Sequence, residues 1–166
     1  MDLAALDTLS DAEAQIVLAR ACGAGRWIRA MAAARPFAGP DELAAAAERA
    51  FDALTDADWL EAFAHHPRIG DVSRLRERFA GSGELSEKEQ GTALATAHEA
   101  VLQQLLAANQ RYEARHGHIF IVCASGKSAT EMLGLLLARV NLEPAAELRT
   151  CALEQRKITR LRLGLI

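Results

Sequence analysis

Aromatic residues are scarce in this chain: two Trp, one Tyr and five Phe make up 5% of 166 residues, although 51% of the chain is apolar. Ala and Leu carry that apolar share. Both are strong helix formers, and few strand formers stand beside them, so the composition predicts an all-α fold. Cysteine is equally thin. Cys22, Cys123 and Cys151 are odd in number, widely spaced and form no C-x-x-C pair, which leaves neither a disulfide framework nor a zinc site and predicts reduced thiols in the cytoplasm. Long hydrophobic runs are missing as well. No stretch approaches the ~20 apolar residues of a membrane span, and Met1-Asp2-Leu3 opens no basic segment followed by an apolar one. The closing Leu163-Gly164-Leu165-Ile166 is not a peroxisomal Ser-Lys-Leu address. Nor is there an excess of one charge: 19 basic and 22 acidic residues, interspersed, give a net −3 and no broad basic face for nucleic acid or an anionic membrane. An anionic ligand has to be met by a local cluster of donors.

What is present predicts one globular domain over residues 1–166, a compact bundle of about eight helices. Ser10 with Glu13 forms a capping box that opens a helix to about Arg20, ended by Cys22-Gly23. A second helix runs from about Gly25 to Ala34 and stops before Pro36. Gly39-Pro40-Asp41 starts a third, Ala-rich helix to about Leu54, and Thr55 caps a fourth. That fourth helix ends near His65-His66, because Pro67 disfavours the α conformation in the residue before it. A short helix over about 72–80 and a Gly81-Ser82-Gly83 loop precede a second capping box, Ser86 with Glu89. This box heads the longest helix, which reaches about Arg115 and stops at Gly117. Ile119 through Cys123 is the only strand-like run; lacking a partner strand, it reads as an extended, buried connection. Ser128 with Glu131 caps a helix to about Val140, and Pro144 leads into the last.

Four groups of residues suggest chemistry. His66 leaves its helix at an angle set by Pro67, and an unperturbed pKa of ~6.5 suits it to give or take a proton near neutrality. It also suits a helix C-terminal histidine that meets the last carbonyls and the dipole. Ser86, Glu89 and Gln90 share one face of a first helical turn and could present a hydroxyl, a carboxylate and an amide to one ligand, although Ser-x-x-Glu is equally the capping box itself. In the last helix Ile158, Leu161 and Leu165 mark an apolar stripe, and Arg162 falls inside it at about 100° per residue. Such an arginine either clamps a substrate carboxylate or lies along the core against an internal acid. Gly126-Lys127-Ser128 resembles part of a phosphate loop, but the position five residues earlier is Ile121 where that signature needs Gly, so no nucleotide site is expected. His98, His116 and His118 form no H-E-x-x-H pattern, and no metal site is expected.

In order along the chain, His66-Pro67-Arg68-Ile69-Gly70, Ser86-x-x-Glu89-Gln90, Tyr112-Glu113, Phe120 through Ser128 and Lys157-Ile158-x-x-x-Arg162-Leu163 resemble the OHCU decarboxylase family, from about Cys22 to the C-terminus. The resemblance implies an all-helical homodimer that needs neither metal nor organic cofactor. Its small-molecule substrate would be 2-oxo-4-hydroxy-4-carboxy-5-ureidoimidazoline, decarboxylated to (S)-allantoin. His66 and Glu89 then match the family's catalytic pair. Pro67, Ser86, Gln90 and Arg162 would line the ligand, and the backbone amides of Phe120, Ile121, Val122, Cys123 and Ala124 would meet its ring oxygens. Where many relatives carry an aromatic residue in the first helix, this chain has Ala14, Gln15 and Ile16. Two other readings stand beside this one: a non-catalytic ligand-binding protein of the same fold, and a lyase acting on a related ureido-imidazoline acid.

Overall fold

The computed structural model describes residues 2–68, 72–79 and 92–166, with no side-chain description for Arg78 or for residues 92–96. Nine helices occur among the described residues: α1 (Leu3–Thr8), α2 (Asp11–Ala19), α3 (Gly25–Ala33), α4 (Pro40–Asp52), α5 (Asp56–Ala64), α6 (Val72–Phe79), α7 (Thr92–His116), α8 (Ala129–Arg139) and α9 (Pro144–Leu163). The all-α expectation holds. The helix not anticipated is α1, which is six residues long and capped by Asp2 accepting from the Ala5 amide. Too short to show a periodicity, it is held by tertiary contact: the Arg35 guanidinium takes the carbonyls of Leu6 and Leu9, each at 2.8 Å, and Asp11 at 2.6 Å.

The caps expected at Ser10 with Glu13 and at Ser128 with Glu131 form as capping boxes, and the expected Thr55 cap proves to be a box as well, completed by Asp58; each satisfies orphan N–H groups of the first helical turn. The box expected at Ser86 and Glu89 lies outside the described residues. Helix ends follow backbone rules in the same way. Gly117 (φ +74°) stops α7 in the left-handed conformation that glycine tolerates. After α9, Gly164 (φ +76°) allows the amides of Gly164 and Leu165 to bond back to the carbonyls of Leu161 and Arg160.

Two compact units are distinguished. The first comprises residues 1–66, 121–123 and 148–166; the second comprises 67–120 and 124–147. In the first, α3 packs on α2, α4 and α5, and Trp27, Phe51 and Trp59 stack in series with successive ring centroids 5.6 Å apart. The Arg156 guanidinium of α9 lies over Phe51 and Trp59, at 5.3 and 5.8 Å from the ring centres, and pairs with Glu48 and Asp52 of α4. These ties hold α9 against α4. In the second unit, α7 packs on α6 and α8 around Leu75, Leu102, Leu105, Tyr112 and Leu136. A buried charge cluster completes it: Arg139 donates to both oxygens of Glu147 at 2.9 and 3.2 Å, and the Tyr112 hydroxyl donates to the same carboxylate.

The inward face of α9 differs from the expected Ile158, Leu161 and Leu165 stripe. Its buried positions are Glu147, Cys151, Gln155, Thr159 and Leu163, at i, i+4, i+8, i+12 and i+16, while Leu161 is 41% exposed. Three of these five side chains are polar or charged, so a pattern drawn from apolar residues alone selects the wrong face.

Candidate active site

His66 stands two residues beyond the last residue of α5, where His65 caps the helix and the His66 amide still bonds to the Phe63 carbonyl at 3.1 Å. Its half-buried imidazole does not turn back to the helix carbonyls. It crosses to α9 instead, with Nε2 2.7 Å from the Gln155 side-chain oxygen. The neighbouring His65 packs against Gly23, whose hypothetical Cβ would lie 2.3 Å from Cγ of His65; the His65 ring therefore occupies the space a side chain at position 23 would fill.

Gln155 is wholly buried and its amide nitrogen donates to the Thr159 hydroxyl at 3.2 Å. The Thr159 oxygen is 3.0 Å from the Gln155 carbonyl and 3.3 Å from the Ala21 carbonyl. The Ala21 carbonyl also accepts from Arg162 Nη1 at 3.3 Å, and the Arg20 carbonyl lies 3.4 Å from the same nitrogen. One polar file thus links His66, Gln155, Thr159, Ala21 and Arg162. Arg162 is an exposed residue rather than an inward one, and its partners are the carbonyls that close α2 rather than an internal acid. That anchor fixes the guanidinium while leaving its other nitrogens for an anion.

Burial lowers the His66 pKa below its ordinary value, the Gln155 hydrogen bond opposes that, and the positive charges of Arg162 and His65 lower it further. The imidazole is accordingly neutral near pH 7 and able to accept a proton. Burial also pushes the Cys22 thiol up, so this residue is a neutral thiol and no nucleophile.

The extended segment follows α7 and precedes α8 in chain order. Ile121 is buried, and Val122 and Cys123 are half-buried. The Cys123 amide, expected to face a ligand, donates to Glu154 Oε2 at 2.8 Å, and Lys157 holds the other oxygen of that carboxylate at 2.5 Å. This amide is therefore engaged, whereas the Val122 N–H has no partner among the described residues. In the second unit, Phe120 is half-buried, packs edge-on against Tyr112 at 5.1 Å and lies under the Arg139 guanidinium at 4.6 Å. Ala124 is half-buried and accepts from the Lys127 amide at 3.2 Å. Pro67 is exposed. Ser86, Glu89 and Gln90 lie outside the described residues.

Of the expected site residues, His66 and Arg162 are brought together in the first unit. The residues that join them, Gln155 and Thr159, went unforeseen, as did Glu154, which secures Cys123. Their shared signal is polar residues four apart on one helix, Gln155 and Thr159 following Cys151, a spacing that marks one face. No group of three or more metal-ligating side chains occurs among the described residues, and no described helix is long and apolar enough to cross a membrane.

Comparison with known proteins gives a consistent result. The chain is 38% identical over 145 residues to the uric acid degradation bifunctional protein TTL of Arabidopsis thaliana; the match takes in 86% of this chain and 44% of that protein, so the chain spans less than half its length. It is 32% identical over 130 residues to the 2-oxo-4-hydroxy-4-carboxy-5-ureidoimidazoline decarboxylase of Amia calva, covering 78% of this chain and 73% of that one. The fold matches a crystal structure of OHCU decarboxylase in the presence of (S)-allantoin with a TM-score of 0.70 and 29% identity, over 94% of this chain and 96% of the other. The OHCU decarboxylase family model matches residues 7–164, nearly the whole chain, and the chain belongs to that family.

Proposed function

We propose that this chain decarboxylates 2-oxo-4-hydroxy-4-carboxy-5-ureidoimidazoline to (S)-allantoin without metal or organic cofactor. The observation that carries the reading is the family match over residues 7–164, supported by a related structure at 29% identity that was obtained with (S)-allantoin. Loss of carbon dioxide leaves an electron pair that must be delocalised. The imidazoline ring has unsaturation next to the carboxylate-bearing carbon, so the pair flows into the ring and gives an enol-like intermediate. The protein then has to stabilise developing charge and manage protons.

In this scheme the neutral His66 and the carboxylate of Glu89 share the proton work. One engages the substrate hydroxyl, and the other helps deliver a proton to a single face of the ureido-bearing carbon. Arg162, anchored on the carbonyls of Arg20 and Ala21, meets the substrate carboxylate. Pro67, Ser86 and Gln90 line the ligand, and backbone amides of the Phe120–Ala124 segment meet ring oxygens. Because Cys123 donates to Glu154, the Val122 amide is the better supported donor within residues 121–123.

The test is a circular-dichroism time course on substrate generated fresh from urate. The intact chain should produce optically active allantoin faster than the uncatalysed reaction, and His66→Ala and Glu89→Gln should each lose most of that turnover. Racemic product at the uncatalysed rate would favour a non-catalytic binding protein. We also propose a cytoplasmic homodimer, supported by the three unpaired thiols and the family resemblance. Light scattering that gives the mass of a single chain would count against the dimer.

A further inference from the structure

Gln155 takes no part in the scheme above, yet it is wholly buried and directs its side-chain oxygen at His66. Burying an amide costs free energy unless its polar atoms are bonded, and the oxygen and the nitrogen of Gln155 each have a partner, which holds those neighbours in one arrangement. We propose that Gln155 is a positioning residue that holds His66 in the tautomer protonated at Nε2, leaving Nδ1 as the basic nitrogen.

The direction of each hydrogen bond follows from the end of the polar file. Thr159 places its hydroxyl oxygen within 3.0 and 3.3 Å of two backbone carbonyls, which can only accept, so its single proton must lie toward one of them. Turning that proton toward Gln155 would set the hydroxyl oxygen against two carbonyl oxygens with no hydrogen between. The Thr159 oxygen therefore accepts, and the group that donates to it is the Gln155 NH2. That assignment points the Gln155 oxygen at His66. An oxygen that only accepts, 2.7 Å from Nε2, requires a proton on Nε2.

A neutral imidazole carries one proton, so Nδ1 is then bare. It has no hydrogen-bond partner among the described residues and is not among the buried polar atoms left unpaired, so a lone pair is accessible there. The charged and titratable groups acting on the ring are His65 from the end of α5 and Arg162 from α9; both oppose a second proton, and neither is an acid that competes for Nε2–H. Given the decarboxylase reading, on which this catalytic consequence rests, His66 enters the reaction as an acceptor. The proton of the substrate hydroxyl moves to Nδ1, the O–H electron pair stays on oxygen, and Nε2–H continues to donate to the Gln155 oxygen.

Long-range proton–nitrogen correlation spectra of the protein labelled with 15N-histidine test the tautomer directly and need neither turnover nor a variant. Nε2–H with a bare Nδ1 is expected; Nδ1–H in the unmodified protein overturns the proposal. Finding Nε2–H in a protein that leaves the substrate untouched would support the tautomer while removing the proposed function. Two variants carry the catalytic consequence. Gln155→Leu, which removes the acceptor, should lower kcat by roughly tenfold to a hundredfold, the range seen when a group orienting a functional histidine is lost. Gln155→Glu should restore part of that rate and move the acidic limb of kcat/KM to higher pH, because a carboxylate facing Nε2–H favours the protonated ring. A purely structural role would lower the rate by one factor at every pH, and an unshifted limb in Gln155→Glu would overturn the assignment.

Discussion

His66 is held neutral by burial and by neighbouring positive charge, and that state has two measurable consequences. If the neutral ring is the working form, kcat/KM should hold steady near neutrality and fall as pH drops below the unperturbed value of about 6.5. An acidic limb lying above that value would contradict the assignment. The same lowering bears on stability. A histidine whose pKa is lower folded than unfolded binds more protons unfolded, so its contribution is present above about pH 6.5 and is lost as pH falls toward the folded value. Thermal unfolding followed over a pH series should show the midpoint dropping across that window, and His66→Gln should remove part of the slope. Gly23 is the second informative residue. A methyl there meets the His65 ring at 2.3 Å, so Gly23→Ala should cost about 1–3 kcal/mol in denaturant unfolding and lower turnover by displacing the neighbouring His66.

At the scale of elements, α5 and α9 set the geometry. The start of α5 is fixed by Thr55, which accepts from the Asp58 amide while the Asp58 carboxylate takes the Thr55 amide at 2.8 Å. Thr55→Ala should therefore destabilise by about 1 kcal/mol in a urea titration and leave His66 chemistry intact in the folded fraction. The polar face of α9 is more sensitive. Thr159→Val keeps the shape of the side chain but leaves the buried Gln155 NH2 without its acceptor, and an unfolding free energy lower by about 1–3 kcal/mol is expected. Helix starts were legible because a cap is local chemistry: Ser10, Thr55 and Ser128 each sit three residues before the acid that completes the box. Helix α1 was not legible, since six residues with one Asp cap stand only because Arg35, distant in sequence, takes up the carbonyls at their end.

At the scale of the molecule, each unit depends on a different kind of core. The first relies on the Trp27–Phe51–Trp59 stack, and the second includes the buried Arg139–Glu147 pair capped by Tyr112. Removing one partner of a buried pair strands the other, so Glu147→Ala should cost about 3–5 kcal/mol, read as a lower denaturation midpoint. By itself the sequence determined the helical class, most helix boundaries and the candidacy of His66, because propensity, capping and proline act between near neighbours. It could not determine which face of α9 turns inward. Apolar spacing selected Ile158, Leu161 and Leu165, whereas the fold buries Gln155 and Thr159, whose polar groups are tolerated inside only because His66 and the Ala21 carbonyl arrive from elsewhere in the chain to bond them. A buried polar group is stable only with its partner in place, and that partner is a tertiary fact.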